Sequence, residues 1–148
     1  MLRIGKLTDY ATIIMTHLAL SPGRVLSAAE VAEAVHLSVP TVSKLLKILA
    51  EFKLVCSLRG AEGGYKLAKP ASEITLSDIV TAIEGNVAMT ECCNHNNSCT
   101  LDALCHLKEN WRTINNVILA TLKNFTLTDL TRPLNLTTFR GVPIHLQA

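Results

Sequence analysis

A chain of 148 residues has room for one domain and an appendage but not for two large independent cores, since domains most often run to about 100–150 residues. Its composition, 49% hydrophobic and only 4% aromatic, suits packed helices better than a β-sandwich, so the expected fold class is mainly α. The formal net charge of +2 is unevenly spread: residues 1–70 hold nine Lys/Arg against five Asp/Glu, residues 71–148 five against seven. That imbalance assigns a polyanionic partner to the N-terminal half.

The first apolar stretch, Ala11 to Leu20, is interrupted by Thr12, Thr16 and His17 and is too short for a hydrocarbon core about 30 Å thick. No small-residue cleavage site follows it. The expectation is a cytoplasmic protein with no membrane partner. Five cysteines in a reducing compartment then favour metal binding or redox chemistry over structural disulfides.

Leu7, Ala11, Ile14 and Leu18 recur at helical spacing until Ser21-Pro22-Gly23 stops the pattern, which predicts a first helix. Ser27 and Glu30 form a capping-box pair, and Val31, Ala32 and Val35 give the short second helix its apolar face. After a turn at His36-Leu37, Ser38 can cap a third helix with Val42, Leu45, Leu46 and Leu49 on one side and Thr41, Ser43, Lys44 and Lys47 facing outward. Two short helices about a tight turn, the second presenting small polar and basic residues, is the helix-turn-helix pattern whose second helix enters the major groove.

Leu54 to Leu58 reads as a strand, Arg59 to Gly64 as a glycine-rich turn and Tyr65-Lys66-Leu67 as the returning strand, which together predict a β-hairpin wing. Cys56, alone in that strand, reads as a small buried hydrophobe. A further helix fits Leu76 to Glu84, capped by Thr75, stopped by Gly85, and buried through Leu76, Ile79, Val80 and Ile83.

From Thr90 to Thr100 apolar periodicity vanishes, and Cys93, Cys99 and Cys105 follow one another with five residues between each pair, Cys92 adjoining the first. Three thiolates in one loop can coordinate a soft metal, and the loop would gain its order from that bond. The spacing alone leaves open reduced bystander thiols and redox-switch disulfides, since it matches neither the usual zinc pairs nor the common ferredoxin run. Beyond the loop, Leu104, Leu107, Trp111, Ile114, Ile118 and Leu122 mark a helix of about 25 residues, from Leu101 to Phe125, with a stripe suited to pairing with a second helix. The residues from Pro133 on have no pattern and read as a mobile tail.

The text Leu7-Thr8-Asp9-Tyr10-Ala11, the wing residues Arg59-Gly60 with Gly63-Gly64-Tyr65, and the Cys93, Cys99, Cys105 triplet resemble the winged helix-turn-helix regulators that include IscR and NsrR. Within that family the chain is most similar to the regulators of iron-sulfur assembly (SUF) operons, over about residues 1–130.

The resemblance implies a homodimer on a palindromic double-stranded DNA operator, with Ser38, Pro40, Thr41 and Ser43 opening the recognition helix and Arg59 heading the wing. It implies an iron-sulfur cluster, [2Fe-2S] or [4Fe-4S], held by Cys93, Cys99 and Cys105. IscR-like members add a histidine three positions after the third cysteine, where this chain has Lys108. Asp9, Cys92, His95 and His106 are then the candidates for a fourth ligand, and the likeness to NsrR selects Asp9, reaching across the dimer. The implied organisation is a DNA-binding domain over 1–85, a cluster-binding loop over 86–105, a dimerisation helix over 101–130 and a tail over 131–148. A cluster-free regulator answering to a thiol metabolite, a partner protein or cysteine oxidation is the alternative. An enzyme is not expected, since Cys-x-x-Cys pairs, nucleotide loops and triads are all missing from the sequence.

Overall fold

The computed structural model describes residues 4–85, 87–93, 99 and 104–134. Among these, helices run over Lys6–Ala19 (α1), Ala28–Ala34 (α2), Val39–Glu51 (α3), Leu76–Glu84 (α4), Lys108–Asn124 (α5) and Leu127–Leu130 (α6). One antiparallel hairpin joins Val55–Leu58 (β1) to Gly64–Leu67 (β2), with Val55 opposite Leu67 and Leu58 opposite Gly64. The fold is therefore mainly α with a small wing, as the composition and periodicity predict. No helix among the described residues is long and apolar enough to cross a membrane.

The core is assembled from one face of each of α1 to α4: Ala11, Ile14, Met15 and Leu18 of α1, Val31 of α2, Val42, Leu45, Leu46 and Leu49 of α3, and Ile79 of α4. On α1 the expected face is rotated at its start, for Leu7 is exposed and Thr8 is buried. The reason lies at the far end of α4. Gly5, the N-cap of α1, has no side chain to satisfy the first free N–H groups. The Glu84 carboxylate supplies the acceptor instead, taking hydrogen bonds from the Gly5 N–H at 3.1 Å and the Thr8 hydroxyl at 2.5 Å. A negative charge there also complements the dipole of α1.

Helix α2 begins with the expected capping box, the Glu30 N–H donating to Ser27 Oγ at 3.2 Å and the Ser27 N–H to Glu30 Oε2 at 2.8 Å. These bonds hold the Glu30 carboxyl below its usual pKa, with Arg24 adding a smaller push in the same direction. Helices α2 and α3 end alike. His36 and Lys53 take positive φ, 56° and 57°, and the following N–H groups reach back five residues, Leu37 to Ala32 O at 3.0 Å and Leu54 to Leu49 O at 2.9 Å. This is the Schellman closure, with an ordinary side chain at the position that usually holds glycine.

Helix α5 is shorter than its apolar pattern suggests: it covers 17 residues from Lys108, not the expected 25 or so from Leu101. Its N-cap, Leu107, has no side chain able to accept a hydrogen bond, and residues 104–107 form turns ahead of it. At its other end the chain does not trail away. Phe125 O accepts from Leu76 N at 2.8 Å, Ile74 O accepts from Leu127 N at 2.7 Å, and Thr75 bridges Thr126. Helix α6 then starts with its own capping box, Thr126 with Asp129, whose hydrogen bonds lower the Asp129 pKa. The tail expected to be mobile lies outside the described residues beyond Leu134.

Leu127 is fully buried in the core formed by α1 to α4, so Leu127→Ala leaves a cavity at the junction of both ends of the chain. The expected cost is about 2–5 kcal/mol, measured by urea denaturation as a fall in midpoint at unchanged slope.

Candidate nucleic-acid interface and cysteine site

Helix α3 sorts its residues by face. Its buried positions, Val42, Leu45, Leu46 and Leu49, leave Lys44 and Lys47 exposed, with Thr41 and Ser43 half-buried beside them. Ser38 and Pro40 are exposed at the start of the helix. Ser38 does not cap α3 as expected: its hydroxyl pairs with that of Thr41 at 2.8 Å, and Pro40 sits in the first turn, where a missing N–H costs nothing. Both hydroxyls stay at the surface, where each keeps capacity for a further bond.

The hairpin follows directly from the end of α3 and carries Arg59, fully in solvent, at the exit of β1. Among the described residues, ion pairs join Arg24 to Glu30 and Arg112 to Glu109, and neither Lys44, Lys47 nor Arg59 takes part in one. Three cations outside any ion pair among the described residues, on a helix and a wing, can neutralise phosphates. Cys56 differs from its expected burial: β1 buries Val55 alone, and Cys56 and Ser57 are exposed, because nothing packs on the outer face of a two-stranded ribbon.

The wing is tied back to the body at one residue. Tyr65 N donates to Leu26 O at 2.8 Å and Leu26 N to Tyr65 O at 3.0 Å. Gly64 makes this possible, since a Cβ there would run into Leu26 O and lie 2.6 Å from Leu26 C and 2.9 Å from Ser27 N.

The cysteine segment leaves α4 at Gly85, whose φ of 80° ends the helix, and makes one 3₁₀ turn over Glu91–Cys93. Cys92 is buried and Cys93 half-buried, and both thiols converge on the Thr90 hydroxyl, at 3.1 and 3.2 Å. Cys99 and Cys105 are half-buried, and all four thiols are free. Among the described residues no three His, Cys, Asp or Glu side chains gather about one point. Cys93, Cys99, Cys105 and Asp9 are thus not brought together within one chain, whereas Cys92 lies with Cys93 at the Thr90 hydroxyl. Asp9 is exposed on α1, His106 is exposed before α5, and His95 lies outside the described residues.

Helix α5 packs on α4 and on the Glu91–Cys93 turn, yet Asn115 is its sole buried residue. Of the expected stripe, Leu104, Leu107 and Ile114 are exposed together with Val117, while Trp111, Ile118 and Leu122 are half-buried.

The family model of Rrf2, described as an iron-dependent transcriptional regulator, matches residues 4–133. The chain belongs to the Rrf2 family. It is 32% identical over 131 residues to the HTH-type transcriptional regulator NsrR of Halalkalibacterium halodurans, covering 87% of this chain and 90% of that one. Protein rrf2 of Nitratidesulfovibrio vulgaris is 31% identical over 136 residues, 91% of each. Among solved structures, CymR, the global cysteine regulator of B. subtilis, superposes with a TM-score of 0.73 at 30% identity, over 88% of this chain and 97% of that one. T. potens IscR gives 0.67 at 28%, over 87% and 85%. The chain is thus a transcriptional regulator, of a DNA-binding family and not an enzyme family.

Two parts of this Rrf2 chain escaped the periodicity. Glu84 reads only as the last residue of α4, and its bonds to Gly5 and Thr8 span more than seventy positions, which no local pattern encodes. The start of α6 did carry a signal, Thr126 with Asp129 three residues on, the same box as Thr75 with Asp78.

Because the wing is tied through Gly64, Gly64→Ala forces Leu26 and β2 apart. A stability loss of about 1–3 kcal/mol is expected, with faster hydrogen exchange at the Leu26 and Tyr65 amides than in the parent protein.

Proposed function

We propose that this Rrf2-family regulator works as a homodimer on a palindromic operator and reads iron-sulfur, oxygen or nitric-oxide status through a cluster in the cysteine loop, controlling SUF-type iron-sulfur assembly genes. The observation that carries the reading is the placement of the free thiols Cys93, Cys99 and Cys105 in one segment bounded by α4 and α5. Soft thiolates suit iron-sulfur clusters, and such a cluster supplies a centre whose integrity depends on oxygen, nitric oxide and iron supply. The donor set fits the group. Asp9 is proposed to complete it from the partner subunit, a reading supported by its exposure on α1, away from the thiols of its own chain.

In the DNA-binding part, Ser38, Pro40, Thr41 and Ser43 lie at or near the start of α3, Lys44 and Lys47 on its exposed face, and Arg59 on the wing. Short polar groups at a helix start suit base edges, and the cations suit phosphates. The exposed Leu107, Ile114 and Val117 supply the apolar surface for the helix pair of a dimer, which sets two recognition helices about 34 Å apart, one turn of DNA. Asp9 couples the two functions. Held on the helix that Glu84 caps, it passes a change at the loop to α1 and from there to α3.

Lys47→Ala and Arg59→Ala should remain folded and dimeric yet bind operator and non-operator DNA more weakly, each flattening the salt dependence by about one unit of slope. Ile114→Lys with Val117→Lys should yield monomers by ultracentrifugation that lose the operator. Unchanged affinity in both cation variants refutes the placement, and a monomeric parent at micromolar concentration refutes the dimer.

For the cofactor, anaerobic reconstitution with iron and sulfide should give charge-transfer absorption in the parent, lost in Cys93→Ala, Cys99→Ala and Cys105→Ala. Asp9→Ala should keep the bands with a shorter lifetime in air. A parent that stays colourless sinks the cluster. A cluster-free regulator has its own support in the thiols paired at Thr90 and the likeness to a cysteine regulator, and such a regulator would change operator affinity on thiol oxidation alone.

A further inference from the structure

Between Gly85 and Cys93 the chain has little regular structure, yet α5 holds it at two backbone atoms. Asn115, 6% exposed, accepts a hydrogen bond at Oδ1 from the Met89 N–H at 3.0 Å. Three residues earlier, on the same side of the helix, Arg112 donates from Nε to the Cys92 carbonyl at 3.5 Å, and its guanidinium is steadied by Glu109 at 3.0 Å. Asparagine is a costly choice for the one buried position of a helix, because its amide must be desolvated and a buried polar group left unmet costs far more than a met one gains. A packing role alone would be served by an apolar side chain such as leucine, which has the same branched shape and number of heavy atoms. The position therefore gains from the acceptor.

We propose that Asn115 is a positioning residue for the cysteine segment. It fixes the backbone at Met89 to α5, with Arg112 as the second point, so that Cys92 and Cys93 are delivered against the helix from an otherwise irregular stretch. The consequence for sensing rests on the function proposed above, whereas the anchoring does not. Since α5 also carries the exposed apolar surface, Asn115 joins the thiols to the helix through which two copies would meet.

The experiment uses the full chain, metal-free and reduced, with Asn115→Leu, which keeps the branched shape and removes the acceptor, and Asn115→Asp, which keeps an acceptor oxygen. Asn115→Leu should exchange the Met89 amide about tenfold faster, and the Cys92 thiol should alkylate faster by a similar factor, with amide protection in α1 to α3 unchanged. Asn115→Asp should restore both rates. Asn115→Ala serves where the leucine variant does not fold. After reconstitution, a shortened cluster lifetime in Asn115→Leu and its recovery in Asn115→Asp extend the role to sensing. Parent-like exchange at Met89 and parent-like alkylation of Cys92 in a folded acceptor-less variant overturn the proposal. A parent that forms no cluster defeats only the cofactor reading, because exchange and alkylation decide the anchor.

Discussion

Two backbone hydrogen bonds between residues 74–76 and 125–127 close the chain on itself: Leu76 N to Phe125 O at 2.8 Å and Leu127 N to Ile74 O at 2.7 Å. They seat Leu127 among the side chains of the DNA-binding core and fix the end of α5 beside the start of α4. Everything between those two points, Leu76 to Phe125, is a loop whose ends meet. The cysteine segment and α5 lie within it.

The other end of α4 makes the second joint. Glu84 takes hydrogen bonds from Gly5 and Thr8, so the last residue before the cysteine segment is also the cap of α1. Helix α1 contacts α3 and β2, and β2 is tied to Leu26 through Gly64. Helix α4, the first helix, α3 and the wing are thus in contact, the first two through the specific atoms of the Glu84 cap.

The helix-turn-helix is closed at both of its helix ends in the same way. The Schellman closures after α2 and α3 put His36 and Lys53 in the left-handed region, an arrangement that costs such residues about 1–2 kcal/mol and persists because Leu37 and Leu54 pack inward behind the turns. The turn between α2 and α3 is therefore made without glycine, with Leu37 half-buried against the core behind it.

Local chemistry fixed much of this chain without help from the fold. The 3.6-residue spacing of Val42, Leu45, Leu46 and Leu49 determines which side of α3 is buried and therefore that Lys44 and Lys47 face out, because a helix has one geometry. Ser27 with Glu30 and Thr75 with Asp78 determine their helix starts for the same reason, each needing atoms only three residues apart. Where a residue's neighbours come from distant positions, the pattern was insufficient. Leu7 and Thr8 exchange burial because Glu84 arrives beside them. Cys56 is exposed because nothing covers that side of the hairpin. Asn115, polar within an apolar stripe, looks like a surface residue until Met89 is placed against it, and nothing in the local pattern marks Leu127 as a core residue until Ile74 receives its N–H. The spacing of the thiols was legible, but which of them lie together was not, since the turn that brings Cys92 and Cys93 to the Thr90 hydroxyl is held by Arg112 and Asn115 of α5, 20 and 26 residues beyond the atoms they bind. Short-range hydrogen bonds and helical periodicity act within one turn of chain and can be read there; desolvation of a polar or apolar side chain depends on what the rest of the molecule brings to it, and that only the tertiary structure decides.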